Sequence, residues 1–257
     1  MIYTIRNMSL ASYINKSRET LRAYLKDEWD VSTISAYSDR DIEVMYNTKV
    51  PHTKNLISFG NATPCNFSLQ NLKVPSHRLH IVYYNFGELT GPPTKITKTC
   101  GDKLTNLYID EIIAPDDSLL VIFQVPITDN IQKSIEDMYL NGQEELKLIK
   151  LSDEITTENE SHDEGYSLRY FRSIHAFSLD HLLYDLRNHE KVPKHENYRL
   201  KSEIRPILSD CNATISQLPV IQRTDIQARI MRMAPGDVCK ITRDSTVGQV
   251  VAYRVCR

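Results

Sequence analysis

The stretch LPVIQRTDIQARIMRMAPGDVCKITRDSTVGQVVAYRVCR, Leu218 to Arg257, is the most informative part of this chain. Near its end, side chains alternate with a period of two, first over residues 239–242 and again over 251–255. This alternation predicts two β-strands. The segment Asp244–Gln249 joins them, and with Gly248 free to adopt a positive φ it predicts that the strands form a hairpin.

The same alternation divides the hairpin side chains between two faces. We expect one face to pack inward and the other to present Lys240, Thr242 and Arg254. Just upstream, Asp225 either caps a helix that begins near Ile226 or pairs with an arginine of a partner. These elements predict a small α+β module.

A further helix is predicted where leucines follow Ser178 at the spacing i, i+3, i+4 and i+7, which places them on one helix face. Ser178 is a good N-cap for this helix. His181 lies off the apolar face and is expected to be solvated. The four leucines are Leu179, Leu182, Leu183 and Leu186.

The N-terminal half alternates strand-like and helix-like segments, which predicts an α/β domain whose sheet is at least partly parallel. The predicted helices are Asn15–Trp29 and a segment after Thr128 or Asp129 that is marked by Ile131, Ile135, Met138 and Tyr139. The predicted strands are Leu79–Phe86, Leu107–Ile113 and Leu119–Val125, with a short helix between the first two.

Charge is distributed unevenly along the 257 residues, although the net charge is only −2. Residues 1–135 are neutral, residues 136–165 carry a net −8, and residues 166–257 carry a net +6. Ser152–Glu164 is almost free of apolar residues, which is typical of a linker or an exposed loop.

We therefore divide the chain into three parts. Residues 1–150 form the α/β domain, residues 151–165 form the acidic linker or loop, and residues 166–257 form the basic α+β module.

The C-terminal stretch closely resembles the assembly domain of the fifth-largest subunit of eukaryotic RNA polymerases, a domain that the archaeal homologue shares. A second patch, Val192-Pro193-Lys194-His195, matches the family pattern V-P-x-H at the right distance. Ile226, Arg232 and Pro235 depart from the family pattern, which has Pro, Gly and a basic residue there. The matching positions are Leu218, Pro219, Ile221, Gln222, Asp225, Ala228, Arg229, Gly236, Val238, Lys240, Ile241, Arg243, Ser245, Gly248, Tyr253 and Arg254.

The resemblance implies a non-catalytic subunit of a DNA-directed RNA polymerase that docks on the largest subunit and contacts the rest of the core. We expect the partner surface to include Val192, Pro193, His195, Gln222, Asp225, Arg229, Lys240, Arg243 and Arg254.

The N-terminal domain resembles the family's jaw domain at Phe123–Met138. In the family, the turn before the helix lies near downstream DNA. The resemblance therefore places Thr128, Asn130 and Lys133 near duplex DNA, although Asp129 brings a negative charge there. Simple helix capping explains the same residues equally well.

An enzyme is the main rival interpretation. Pro115-Asp116-Asp117 resembles the start of a nuclease metal site, but the following strand, Leu119–Val125, carries no acid and no lysine. We therefore expect no catalytic residues, no metal and no cofactor.

The five scattered cysteines are expected to be free thiols in a reducing compartment. The segment MIYTIRNMSL lacks the apolar core of a signal peptide, and no apolar run is long enough for a membrane span.

Two further expectations follow from the resemblance. A jaw together with an assembly domain is typical of the eukaryotic-type subunit, and the departures fit a divergent member, such as one encoded by a large DNA virus. The location is then the nucleus for a cellular protein, and the host cytoplasmic factory or the virion for a viral one. A free transcription adaptor that carries the same module remains an alternative.

Overall fold

The computed structural model describes residues 8–48, 56–149, 167–246 and 248–257. The acidic segment 151–165 that we predicted to be a linker lies outside these residues. Within the described ranges, no helix combines the length and the apolar character that crossing a membrane requires.

The described residues group into two compact units. One unit contains the described residues up to 149 together with Ile174–Tyr184. The other contains residues 167–173 and Asp185–Arg257. This division differs from the predicted one, which assigned Ile174–Tyr184 to the C-terminal module.

The first unit is a mixed sheet with helices. Its sheet has the order β1-β2-β3-β4, in which β1 is antiparallel to β2 and the other pairs are parallel. Its elements are α1 (Leu10–Leu25), α2 (Asp39–Asn47), β1 (Phe67–Gln70), β2 (Arg78–Tyr84), α3 (Cys100–Ile109), β3 (Ser118–Phe123), α4 (Asp129–Leu146) and β4 (Ile174–Ser178).

The central strand β3 explains why this sheet is buried. Its sequence SLLVIF is buried along its whole length, as expected for a parallel strand with neighbours on both edges and packing on both faces. The strand predicted at Leu119–Val125 is confirmed in this form, and the strand predicted at Leu79–Phe86 is β2. The helix predicted at Asn15–Trp29 is α1, which buries Ile14 and Leu21 as expected.

Two predicted elements are wrong. Leu107–Ile113, predicted to be a strand, instead begins with the last turn of α3. In that helix Leu104, Leu107 and Tyr108 are buried at helical spacing. The helix predicted after Ser178 is also wrong, because β4 continues to Ser178 and is followed by a 3₁₀ turn, Leu179–Leu182. A 3₁₀ turn aligns residues three apart, which is enough to bury Leu179 and Leu182.

The second unit is built around the predicted hairpin, which is confirmed. Its sheet has the order β5-β7-β8-β6; β7 is antiparallel to β5 and β8, whereas β6 is parallel to β8. Gly248 has a φ of 124° at the start of β8. The elements are β5 (Lys194–Tyr198), α5 (Lys201–Asp210), β6 (Val220–Ile221), α6 (Ile226–Ile230), β7 (Val238–Ser245) and β8 (Gly248–Cys256).

Both faces of this second sheet carry apolar clusters. The cluster that includes α6 contains Ile221, Ala228, Met233, Cys239, Ile241 and Cys256. The cluster that includes α5 contains Ile204, Ile207, Leu218, Val238 and Val255. The sheet is thus packed on both faces around residues 238–241 and 255–256.

Candidate subunit interface

The register of the hairpin determines which predicted interface residues share a face. Cys239 lies opposite Arg254, and Lys240 lies opposite Tyr253. Residues directly opposite each other point to the same side of the sheet, so Lys240 and Arg254 lie on opposite faces. The prediction that they share a face is wrong, because the apolar residues of the two strands are offset by one position across the ladder.

Arg254 shares its face with Arg243 and His195, which are paired with Val250 and Ile241 in the same register. Both arginines are exposed. Nη1 of Arg254 donates to the carbonyl of Val220 at 3.1 Å. Among the described residues, neither arginine has a carboxylate partner. This face therefore presents two uncompensated positive charges.

The V-P-x-H patch leads into β5, and its residues other than Lys194 are half-buried. The ring Nδ1 of His195 lies 2.7 Å from the carbonyl oxygen of Pro193, to which it donates a hydrogen bond. Val192 and Pro193 are half-buried immediately before the strand. The histidine thus fixes the backbone of its own motif.

Lys240 lies on the other face and already has a partner. Its Nζ lies 3.4 Å from Oε2 of Glu196, and Oε1 of the same carboxylate accepts from Lys194 at 2.7 Å. The hydrogen bond from Lys194 is the main reason that the pKa of Glu196 is lowered. Glu196 in turn raises the pKa of Lys240. The three side chains form a local ion cluster within the unit.

The predicted interface residues around α6 differ in exposure. Gln222 is exposed, and Asp225 caps α6 by accepting from the amide of Gln227 at 2.8 Å. The capping alternative for Asp225 is thereby confirmed. Arg229 is only 8% exposed, and its burial lowers its pKa, although the charge of Asp225 opposes this change. Arg229 thus lies mostly inside the unit, and little of its side chain is exposed to a partner.

The end of α6 explains one departure from the family pattern. The amide of Arg232 bonds to the carbonyl of Arg229, and the amide of Met233 bonds to that of Ala228. This pair of bonds is a Schellman motif, whose C′ residue adopts the left-handed conformation. Arg232 occupies that position with a φ of 51°, which glycine adopts without steric cost.

A buried carboxylate that the sequence interpretation missed fixes the loop after α6. Asp237 is fully buried. It accepts hydrogen bonds from the hydroxyl of Tyr170 at 2.7 Å, the amide of Ala234 at 3.1 Å and the side chain of Asn197 at 3.2 Å. The sequence signal for its role is an acidic residue directly before a buried strand, since such a charge needs partners.

Two arginines complete this network. Nη2 of Arg169 lies 3.3 Å from Asp237, and Nε of Arg199 lies 3.8 Å from it. Both guanidinium groups also lie over the ring of Tyr170. Arg199 donates to the carbonyl of Met231, and Arg169 donates to that of Pro235. The network therefore ties both ends of the loop 231–235 to one buried charge.

The residues predicted to lie near DNA are at the N-terminus of α4. Thr128 is the N-cap residue by its backbone conformation, but its side chain makes no capping hydrogen bond. Thr128, Asn130 and Lys133 are all exposed, and so is Asp129. In the adjoining helix, Gly101 lies against Ser134 of α4. Because the side chains at the start of α4 are exposed and Thr128 makes no capping bond, the polar groups of its first turn are accessible from solvent.

The acidic pair that suggested a nuclease has a structural role. Asp117 accepts from the amide of Arg78 at 2.8 Å and lies 2.9 Å from Nε2 of His80. Burial raises the pKa of Asp116, and the charge of Asp117 adds to this effect. Within the described residues, no three His, Cys, Asp or Glu side chains are grouped to bind a metal ion. All five cysteines lie in the described ranges, and none of them forms a disulfide.

Comparison with known proteins agrees with the family resemblance of the C-terminal stretch. Residues 184–256 match the family described as RNA polymerase Rpb5, C-terminal domain. The DNA-directed RNA polymerase subunit Rpo5 of Sulfurisphaera tokodaii is 42% identical over 71 residues, which are 27% of this chain and 83% of that protein. Rpo5 of Methanosphaera stadtmanae is 39% identical over 74 residues, which are 28% of this chain and 95% of that protein.

A eukaryotic relative extends the similarity beyond the second unit. The subunit rpabc1 of DNA-directed RNA polymerases I, II and III from Dictyostelium discoideum is 31% identical over 147 residues. These residues are 55% of this chain and 73% of that protein. The chain therefore belongs to the Rpb5 family and is a non-catalytic subunit of a DNA-directed RNA polymerase.

Proposed function

We propose that the second unit docks on the largest subunit of the polymerase through the face that carries Arg243 and Arg254. The observation that carries this proposal is that both arginines are exposed and have no carboxylate partner among the described residues. Arginine is enriched at protein interfaces, where complementary charge on the partner increases specificity and the rate of association. The family match, residues 184–256, falls on the unit that carries this face.

In this proposal the two units correspond to an assembly domain and a jaw-like domain. The jaw-like domain lies near downstream duplex DNA, with Thr128, Asn130 and Lys133 of α4 closest to it. The unused hydroxyl of Thr128 and the free amides of the first helical turn support this placement, because they donate hydrogen bonds to phosphate. The contact is weak, because residues 1–135 carry no net charge and phosphate affinity depends on positive charge.

The subunit thus acts by positioning, and another subunit supplies the catalytic magnesium. Its location follows that of the polymerase: the nucleus in a cell, or a cytoplasmic factory or virion for a viral enzyme.

Charge reversal on the two faces of the hairpin tests the docking surface. Tagged full-length chain is expressed with its polymerase, and the co-purified largest subunit is quantified. We expect Arg254→Glu to be lost from the complex, whereas Lys240→Glu, on the opposite face, is retained. Far-UV circular dichroism establishes that both variants are folded. Equal incorporation of the two variants would remove Arg254 from the interface, and a wild-type chain recovered without polymerase would favour the free adaptor.

A further inference from the structure

The strand β8 has an outer edge that is only partly covered. It contains nine residues, Gly248–Cys256, whereas its outer neighbour β6 contains two. Those two residues pair with Val255 and Cys256. Along residues 248–254, no strand of the described chain lies on the outer side of β8.

The pattern of hydrogen bonds shows which main-chain groups point to this edge. The amides of Val255 and Arg257 donate outward, to Pro219 and Ile221, whereas the amide of Cys256 donates inward, to Asp237. Main-chain groups of a strand alternate in direction, so every second residue before Val255 also points outward. The outward set in the uncovered part consists of Gln249, Val251 and Tyr253.

Between residues 249 and 253, the side chains at this edge lack the features that usually prevent strand pairing; the charged residue Arg254 follows, next to the residues that pair with β6. Natural edge strands are blocked by lysine, proline, bulges or inward-pointing charges. Here Val250 is 52% exposed and Val251 is 44% exposed, and Ala252 next to them is also exposed. The segment 249–253 contains no charged residue and no proline. The edge is therefore suited to the addition of another strand.

The charges beside the edge restrict what that strand contains. Arg243 and Arg254 lie on the same face as Val250 and Ala252. A strand that pairs with β8 would place alternate side chains on this face, where a carboxylate would meet an arginine. A second copy of β8 offers no such group, since GQVVAYRVC contains no acid.

We propose that the polymerase subunit on which the second unit docks adds an extended segment to the outer edge of β8. This segment carries aliphatic side chains and at least one carboxylate on the arginine face. The inference rests on the proposed docking function and adds the binding mode to it. Main-chain bonds to Gln249, Val251 and Tyr253 provide affinity, and the arginines select the partner.

A proline at residue 251 tests this mode with little change to the hairpin itself. The amide of Val251 points outward, so Val251→Pro removes an edge donor without removing a bond to β7. Val251→Ala is the matched control, because it also shortens the side chain but retains the amide. We expect recovery of polymerase to fall about tenfold for Val251→Pro and to remain near the wild-type level for Val251→Ala.

Amide hydrogen exchange gives a second readout that needs no variant. In the free chain, the amides of Gln249, Val251 and Tyr253 should exchange rapidly, and those of Val250 and Ala252 slowly. Assembly should protect the first group. This measurement also decides the question if Val251→Pro does not fold.

The outcomes separate this inference from the proposed function. If the wild-type chain does not assemble with polymerase, the docking proposal itself fails. If wild type and Val251→Pro assemble equally and the outward amides gain no protection, strand addition is overturned while docking stands. A concentration-dependent dimer of the free chain that Val251→Pro abolishes would assign the edge to a second copy and overturn the inference.

Discussion

The hydroxyl of Tyr170 donates a hydrogen bond of 2.7 Å to Oδ1 of Asp237, a carboxylate that is fully buried. Burial raises the pKa of Tyr170, and the charge of Asp237 raises it further. The phenol therefore remains a proton donor across the whole physiological pH range. This bond joins the segment before β4 to the residue directly before β7, the first strand of the hairpin.

Removing the Asp237 carboxylate should destabilise the second unit strongly. Asp237→Ala leaves Arg169 and Arg199 without their shared partner, and breaking a buried pair in this way costs about 3–5 kcal/mol. Tyr170→Phe removes one hydrogen bond to a charged group and should cost about 1.5–3 kcal/mol. Asp244→Ala, at an exposed site on β7, should stay within about 0.5 kcal/mol. Urea unfolding measures all three; equal stability of Asp237→Ala and Asp244→Ala would contradict the role of the network.

The left-handed residue at the end of α6 gives a second prediction. Arg232→Gly and Arg232→Ala lose the same guanidinium, but only alanine keeps a Cβ at a φ of 51°. The glycine variant should be more stable than the alanine variant by about 1 kcal/mol. Thermal or chemical unfolding of the pair provides the comparison. A more stable alanine variant would show that the αL position is not strained.

Buried thiols predict a loss of stability at alkaline pH. Burial raises the pKa values of Cys65, Cys100 and Cys239 from 9.0 to about 11. The unfolded chain loses these protons as the pH rises through about 9, whereas the folded protein retains them to about 11. The unfolded state therefore binds fewer protons in this window, and the free energy of unfolding falls as the pH rises.

Chemical denaturation at several pH values between 8 and 11 checks this dependence. Cys100→Ala should reduce the slope of the free energy of unfolding against pH, while Cys211→Ala, at an exposed cysteine, should not. An unchanged slope for Cys100→Ala would contradict the assignment.

Placing the first unit near DNA predicts a specific crosslink. A photo-crosslinker attached to Asn130→Cys should label downstream duplex in the transcribing polymerase, because Asn130 is exposed at the first turn of α4. The same probe at Leu148→Cys, exposed beyond the C-terminal end of that helix, is the control. Labelling from Leu148→Cys alone would remove the α4 N-terminus from the DNA path.

The hairpin was predictable from the sequence because alternation and a glycine-containing turn are local signals. The distribution of side chains between its faces was not, because the register depends on how two strands align. A shift of one residue moves Arg254 away from Lys240. The role of Asp225 as a cap was one of two local alternatives, and the structure selects it.

Elements defined by distant contacts were harder to predict. The segment Leu107–Ile113 is a short apolar run, which periodicity alone does not assign to helix or strand. The strand β4 is recognisable only from its pairing with β3 across the chain. The position of Asp237 before a buried strand is a sequence signal, but its partners are not visible in the sequence, since two of them, Tyr170 and Arg169, lie more than sixty residues earlier.

The stoichiometry of the purified complex tests the central claim most directly. Full-length tagged chain is isolated from its own source under mild salt, and the subunits are quantified by mass spectrometry. A polymerase subunit should be recovered at one copy for each copy of the two largest polymerase subunits. Recovery of the chain alone, or with polymerase far below equal amounts, would contradict the claim.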